Sequence, residues 1–207
     1  MRRVAVLLCV AMACHKAEIR SFDVGEQHLE AAVPHGWEAL DRGRQIVFRS
    51  ESAEMILADL GPCRPEGFRR EIAVVRNLSR SGRDHEARTR LGELRLPPEL
   101  HVEPQLDALE AAIDGMQPAP MDRIADDALK LLGHDQRREV KSRQAIRVDG
   151  REAMEVETWM TLTHSDPQRF LIVINDGRTL ALHCSRCDDG AFDRVAKSLH
   201  FAAESRK

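Results

Sequence analysis

The cysteines are the residues of this 207-residue chain whose type and spacing could do chemistry. Cys184 and Cys187 have the Cys-x-x-Cys spacing of redox pairs, between a predicted strand and a predicted helix. Redox chemistry needs a βαβ setting and a lowered thiol pKa, but the preceding strands form a predicted meander and two aspartates follow Cys187 directly. We therefore predict a structural disulfide that joins Cys63 to Cys184 or Cys187. A thiol-disulfide protein that uses Cys184 and Cys187 is the alternative function.

The other residue types do not predict a catalytic centre or a metal site. His183 and Cys184 are neighbours on a predicted strand, so their side chains point to opposite faces and cannot share an ion without a bulge. The sequence contains no nucleophile elbow, His-Glu-x-x-His helix or phosphate loop. We predict no enzyme, no catalytic residue, no metal and no cofactor. Trp37 follows a proline-glycine turn, where it is a core or rim residue or, if exposed, a binding surface.

The N-terminus predicts export. Arg2 and Arg3 precede an apolar run over residues 4–13, which is too short to cross a bilayer but suits the core of a signal peptide. The segment Ala11-Met12-Ala13-Cys14 resembles the lipobox of bacterial lipoproteins. The resemblance implies cleavage before Cys14 and a lipid such as palmitate on its thiol. An Ala-x-Ala site for ordinary signal peptidase would cut the same bond and leave a secreted or soluble periplasmic protein.

The predicted organisation is a signal peptide over 1–13, a lipid-anchored tether over 14–20 and one folded domain over 21–202. Loss of the signal leaves 29 basic against 34 acidic residues, which argues against a nucleic-acid partner.

We expect membrane contact through the lipid on Cys14 and an unidentified envelope protein as partner. By the rule for enterobacterial lipoproteins, His15 after the cysteine favours the outer membrane, facing the periplasm.

Hydrophobic periodicity predicts an α+β fold. Residues 22–33 and 45–60 read as two or three strands, and Pro65 begins a helix. Residues 79–104 are predicted as a long loop, followed by two helices over 106–116 and 124–132. Asp149-Gly150 and Asp176-Gly177 lie between strand-like runs and predict a hairpin meander. The run 170–174 is apolar on both faces and predicts a central strand with cover on each side, and a final helix follows from 188 or 189.

Two segments resemble PsbP-like domains. Residues 33–38, Val-Pro-His-Gly-Trp-Glu, followed by 46–49, Ile-Val-Phe-Arg, are similar to the Pro-x-Gly-Trp opening of that family. The hairpin over 169–184 and the helix that closes on 198–201 are similar to its ending. The resemblance covers 20–60 and 120–202. It implies an antiparallel sheet with helices on both faces, as in photosystem II extrinsic subunits, Ran-binding Mog proteins and bacterial lipoproteins. The family shares no catalytic residues, so a scaffold for binding is expected.

Overall fold

A computed structural model describes residues 17–96, 106–133, 138–161, 163, 167–185 and 189–202. These residues form ten strands and five helices. The strands are β1 (Glu18–Val24), β2 (Gln27–Val33), β3 (Glu38–Asp41), β4 (Gln45–Arg49), β5 (Glu54–Pro62), β6 (Arg138–Val148), β7 (Arg151–Met160), β8 (Gln168–Asn175), β9 (Arg178–Ser185) and β10 (His200–Phe201). The helices are α1 (Pro65–Arg80), α2 (Asp84–Glu93), α3 (Leu106–Asp114), α4 (Met121–Leu131) and α5 (Asp189–Ser198).

Seven strands form a large antiparallel sheet in the order β3-β4-β5-β9-β8-β7-β6. Strands β6 to β9 are the predicted meander. Asp149 and Asp176 have φ angles of 49° and 51°, and the glycines after them also have positive φ. Positive φ at both central residues is the geometry for which Asp-Gly hairpins are favoured. The two turns are therefore where the sequence predicted them, and the α+β fold class is confirmed.

Strand β8 is central, and both of its faces are covered as predicted. Leu171 and Val173 join the main core, which is closed by the small sheet β1-β2-β10 and by α5. Phe170, Ile172 and Ile174 point to the other face, where α4 covers them. A helix thus lies on each face of the large sheet. On the first face, however, a second sheet shares the cover, because β1 and β2 fold over it.

Helices α1, α2 and α3 pack together beside the sheet. Phe68 and Ile72 of α1 meet Leu109 and Ile113 of α3 in a small separate core. Helix α2 lies inside the range 79–104, so the prediction of a loop there was wrong over Asp84–Glu93. Ala87 is its only buried residue, and a helix without an apolar stripe gives no periodic signal.

The N-terminal half contains five strands, where the sequence predicted two or three. Strand β1 begins at Glu18, inside the range 14–20 predicted as a tether, so the folded part starts earlier than 21. Most of β1 is exposed. A strand that buries little shows no alternation of apolar and polar residues, which is why its start was missed.

Helix α1 is fixed to the meander by a close approach of two backbones. The amides of Cys63 and Arg64 donate to the Gly177 carbonyl at 2.8 and 3.1 Å. A Cβ on Gly67 would lie 2.2 Å from the Gly177 oxygen, and a Cβ on Gly177 would lie 2.4 Å from the Gly67 nitrogen. Both positions therefore need glycine, and through them α1 lies directly on the turn between β8 and β9.

This contact predicts that glycine-to-alanine substitutions in the two Asp-Gly turns lower the free energy of unfolding by different amounts. Gly150 and Gly177 have φ of 77° and 74°, but a Cβ on Gly150 would meet nothing within 4 Å. Gly150→Ala should cost only the left-handed strain, about 1–2 kcal/mol. Gly177→Ala should cost about 1–3 kcal/mol more, because α1 must move. Denaturant unfolding of both variants measures the difference, and equal costs would contradict the close approach.

Candidate functional site

A cleft with a volume of about 1350 Å³ lies at the end of the large sheet where several hairpin turns come together. One wall comes from the β1–β2 and β3–β4 turns and the other from α1, α2 and the residues after α2. The end of β5 and the start of β9 contribute Asp59 and Arg178 between these walls. Turns, strand ends and the two helices therefore bring side chains of different elements together in the cleft.

A buried ionic cluster lies between the two walls, with Arg178 at its centre. Arg178 is 3% exposed and donates through Nη2 to Asp59 Oδ2 at 2.7 Å and through Nε to Asp59 Oδ1 at 3.3 Å. Its Nη1 donates to Glu71 Oε1 of α1. Asp59 and Glu71 are 4% and 5% exposed. One guanidinium therefore joins β9, β5 and α1 with all three charges out of solvent.

Arg90 extends this cluster to α2 and to the first hairpin. Its Nε donates to Glu71 Oε2 at 2.9 Å, and its Nη2 donates to Glu26 in the β1–β2 turn. Glu71 Oε1 thus accepts from Arg178 and, at 3.5 Å, from Arg90 Nη2, while Oε2 accepts from Arg90 Nε. We call Glu26, Asp59, Glu71, Arg90 and Arg178 the ionic cluster. The ionic cluster links the two walls of the cleft, although its residues are far apart in the sequence.

Local backbone geometry places Asp59 in this cluster. The register of β5 against β9 shifts between Asp59 and Gly61, and the Gly61 amide donates to Asp59 Oδ1 at 2.9 Å. The turn at Gly25 lies directly on this carboxylate, since a Cβ there would be 2.2 Å from Asp59 Oδ2. Gly25 has a φ of 61°, so the position needs glycine for both conformation and space. The bulge and the turn together hold the carboxylate toward Arg178.

The charged forms of Glu71 and Arg178 are stabilised by their pairing. Burial alone would raise the pKa of Glu71, but hydrogen bonds from Arg90 and Arg178 outweigh burial and lower that pKa. Burial opposes the charge of Arg178, yet its bonds to Asp59 and Glu71 raise its pKa. A general acid needs a raised carboxyl pKa, so Glu71 is unsuited to proton transfer near neutral pH. Glu71 is therefore held as a carboxylate that is paired with two arginines.

The predicted disulfide of Cys63 is wrong, because Cys63 carries a free thiol in the structure. Its Sγ donates to the Gly177 carbonyl at 3.4 Å, beneath the start of α1. Burial raises the pKa of this thiol to about 11, and a hydrogen bond with Thr179 opposes the shift only in part. A raised pKa favours the protonated thiol at neutral pH. Sequence spacing could not show this, because the position of Cys63 follows from the approach of α1 to the β8–β9 turn.

The structure separates His183 from Cys184, as strand parity predicted. Cys184 is 3% exposed in the main core. His183 lies on the opposite face and stacks on Phe170, with ring centroids 4.5 Å apart. Burial, with a smaller effect of Arg138, lowers the pKa of His183 to about 4, so it is neutral at pH 7. Cys187 and Cys14 lie outside the described residues, so the redox alternative and the lipid on Cys14 stay predictions.

Trp37 is half-buried and packs against the main core. That is the position of a rim residue, and its role as a binding surface stays a prediction. Among the described residues, no group of three or more His, Cys, Asp or Glu could hold a metal ion.

Sequence reasoning missed the ionic cluster, although its signal was present. Glu71 lies on the inner stripe of α1 with Phe68, Ile72 and Val75. Asp59 is a charged residue at a buried position of β5. A charge on a face that is otherwise buried needs a partner of opposite sign. What the sequence does not give is the partner, because Arg178 is 107 positions after Glu71.

Comparison with known proteins gives similarity to solved structures only. No protein-family model matches the chain, and no curated protein matches it. Among solved structures it is similar to cyanobacterial PsbP (CyanoP) from Synechocystis sp. PCC 6803, with a TM-score of 0.46 and 16% identity over 94% of this chain and 99% of that chain. A crystal structure from Bacteroides thetaiotaomicron VPI-5482 has a TM-score of 0.34 and 8% identity, covering 86% of this chain and 47% of that one.

The ionic cluster predicts acid-sensitive stability. Because the pKa of Glu71 is lowered by folding, its contribution is complete above its ordinary pKa of 4.5 and is lost as pH falls through the lower folded value. Glu71→Gln should cost about 2–4 kcal/mol at pH 7, since two arginines lose a charged partner. The difference in unfolding free energy between Glu71→Gln and the unsubstituted chain should become smaller below pH 4.5. Denaturant unfolding between pH 3 and 7 measures it.

A surface pair provides the control. Glu54→Gln removes the carboxylate that Arg49 contacts at 3.2 Å, where both side chains are exposed. It should cost less than about 1 kcal/mol. If the difference in unfolding free energy between Glu71→Gln and the unsubstituted chain does not change with pH, then folding does not lower the pKa of Glu71.

Proposed function

We propose that this chain is a lipid-anchored cell-envelope protein that acts by binding a partner, with the cleft as its binding surface. The observation that carries the proposal is the ionic cluster. Its arginines and carboxylates are bonded to one another and hold the two walls of the cleft at a fixed separation. A preformed site loses little entropy when it binds, which favours recognition.

The cleft favours a polar partner with charges of both signs. Asp41 and Glu93 are exposed at its margin, as are Arg83 and Arg95. A lipid-tail site would be lined by apolar side chains, and a nucleic-acid site would be basic throughout. A folded protein surface, or a flexible segment of one, presents both signs of charge. We therefore propose an envelope protein as the partner.

The anchor is proposed from the N-terminal sequence. Arg2, Arg3, the apolar run over 4–13 and Ala-Met-Ala before Cys14 are the features of a lipoprotein signal. Strand β1 begins only four positions after Cys14, at Glu18, so a lipid there would hold the fold close to the bilayer. No helix in the described ranges is long and apolar enough to cross a membrane. We propose the outer membrane, facing the periplasm, as the location.

Acylation can be tested at Cys14 with Cys9 as the matched control. We expect the mature protein to carry a diacylglyceryl or palmitoyl mass on Cys14 and to partition into detergent. Cys14→Ser should abolish both, whereas Cys9→Ser, which changes a cysteine inside the removed signal, should change neither. A mature protein that begins with unmodified Cys14, or that stays in the aqueous phase, would replace this proposal by plain secretion.

Binding in the cleft can be tested by site-specific photocrosslinking in the bacterial envelope. A photoreactive phenylalanine analogue at His85, which is exposed on the cleft wall, should yield a discrete crosslinked product. The same analogue at Gln144, exposed on β6 away from the cleft, is the control and should yield none. Combining Arg95→Glu with the photoreactive residue at position 85 should lower the yield of the crosslinked product. Equal products from His85 and Gln144 would contradict the cleft as the binding surface.

A further inference from the structure

The outer edge of β1 is open among the described residues. The small sheet has the order β1-β2-β10, which places β1 at its edge. Residues 18–21 are exposed, and Ile19 is 63% exposed, more than the other large hydrophobic residues found at the surface. Unpaired amides and carbonyls of an edge strand are a template for another strand. This edge therefore offers a surface for main-chain pairing.

The edges of the large sheet carry more protection against pairing than β1 does. Strand β6 carries Lys141, Arg143 and Arg147, and its register has a bulge between Val140 and Ser142. Strand β3, at the other edge, has only four residues. Charge, bulges and short length are the usual protections against edge pairing. Strand β1 is seven residues long, contains no lysine or proline and pairs with β2 without a bulge.

We propose that β1 pairs antiparallel with β1 of a second copy of this chain, centred on Ile19. This register places Glu18 opposite Arg20 of the second copy, and Arg20 opposite its Glu18. Ile19 lies opposite its own copy, so an exposed apolar side chain gains an apolar neighbour. Directly opposed residues of opposite charge stabilise antiparallel strands.

Symmetry leaves few other registers. A two-fold axis perpendicular to the sheet keeps each side chain on its own face, so opposed residues share parity and the axis passes through one residue position. Centring on Glu18 or Arg20 would oppose two like charges. Centring on Ser21 would oppose Ile19 to Asp23. Only the register centred on Ile19 places opposite charges opposite each other and an apolar side chain opposite another apolar side chain.

The competing interaction within one chain is weak. Arg20 contacts Glu18 of its own strand at 2.6 Å, but these side chains are 45% and 66% exposed. Exposed pairs contribute little to stability, so exchanging them for pairs between copies costs little. The overlap of residues 17–21 is short, and we expect a weak dimer in solution. A lipid on Cys14 would raise the local concentration, but the pairing does not depend on the anchor.

Charge reversal tests the register. Sedimentation of the full chain in detergent should show a concentration-dependent dimer. Glu18→Arg and Arg20→Glu should each weaken it roughly tenfold, since each change creates two repulsive pairs in a two-fold dimer. The double variant should restore dimerisation to within about twofold, because the charges are exchanged and not lost. It should not pair with the unsubstituted chain.

Crosslinking supplies an independent readout. Ile19→Cys should form a disulfide dimer rapidly on mild oxidation, whereas Gln144→Cys, on the protected edge, should not. The proposal is overturned if the chain is monomeric at every concentration, if the single reversals leave the dimer unchanged, if the double variant fails to restore it, or if both cysteines crosslink equally.

Discussion

The burial of one guanidinium, Arg178, is the constraint on which the cleft depends. A buried charge is costly unless it is paired, and Arg178 needs carboxylates from two elements that are far from it in sequence. Asp59 comes from β5 and Glu71 from α1. Because Glu71 also binds Arg90, the same requirement positions α2, which has little apolar contact of its own. The helical wall of the cleft is therefore held by charge as much as by packing.

Such a cluster specifies geometry more than it adds stability. The desolvation of paired ions offsets most of their attraction, so a well-packed apolar replacement could be equally stable. Removing one partner is different, because it leaves the others buried and unpaired. The close approach of Gly67 and Gly177 works in the same direction, since α1 cannot slide along the β8–β9 turn without losing bonds to the Gly177 carbonyl. Together they leave one relative position for α1 and the sheet.

The sequence predicts most of the C-terminal half and little of the cleft. The Asp-Gly pairs and the run 170–174 predicted the meander because turn chemistry and two-sided burial are local signals. The start of strand β1 and the whole of helix α2 were missed because they bury few side chains. The ionic cluster and the free thiol of Cys63 depend on contacts between distant segments, which local patterns do not encode. A charge within an apolar stripe, such as Glu71, shows that a partner exists without showing which one.

Strand β1 connects the two surfaces to which a role is assigned. Its first residue, Glu18, lies just after the proposed anchor, and its last, Val24, leads into the turn that contributes Gly25 and Glu26 to the cleft. Seven residues of strand span about 20 Å, so the cleft would stand about that far from an anchored N-terminus along β1. Pairing at the open edge would use the end of β1 near Glu18. The cleft uses the opposite end, so one copy could occupy both surfaces without competition.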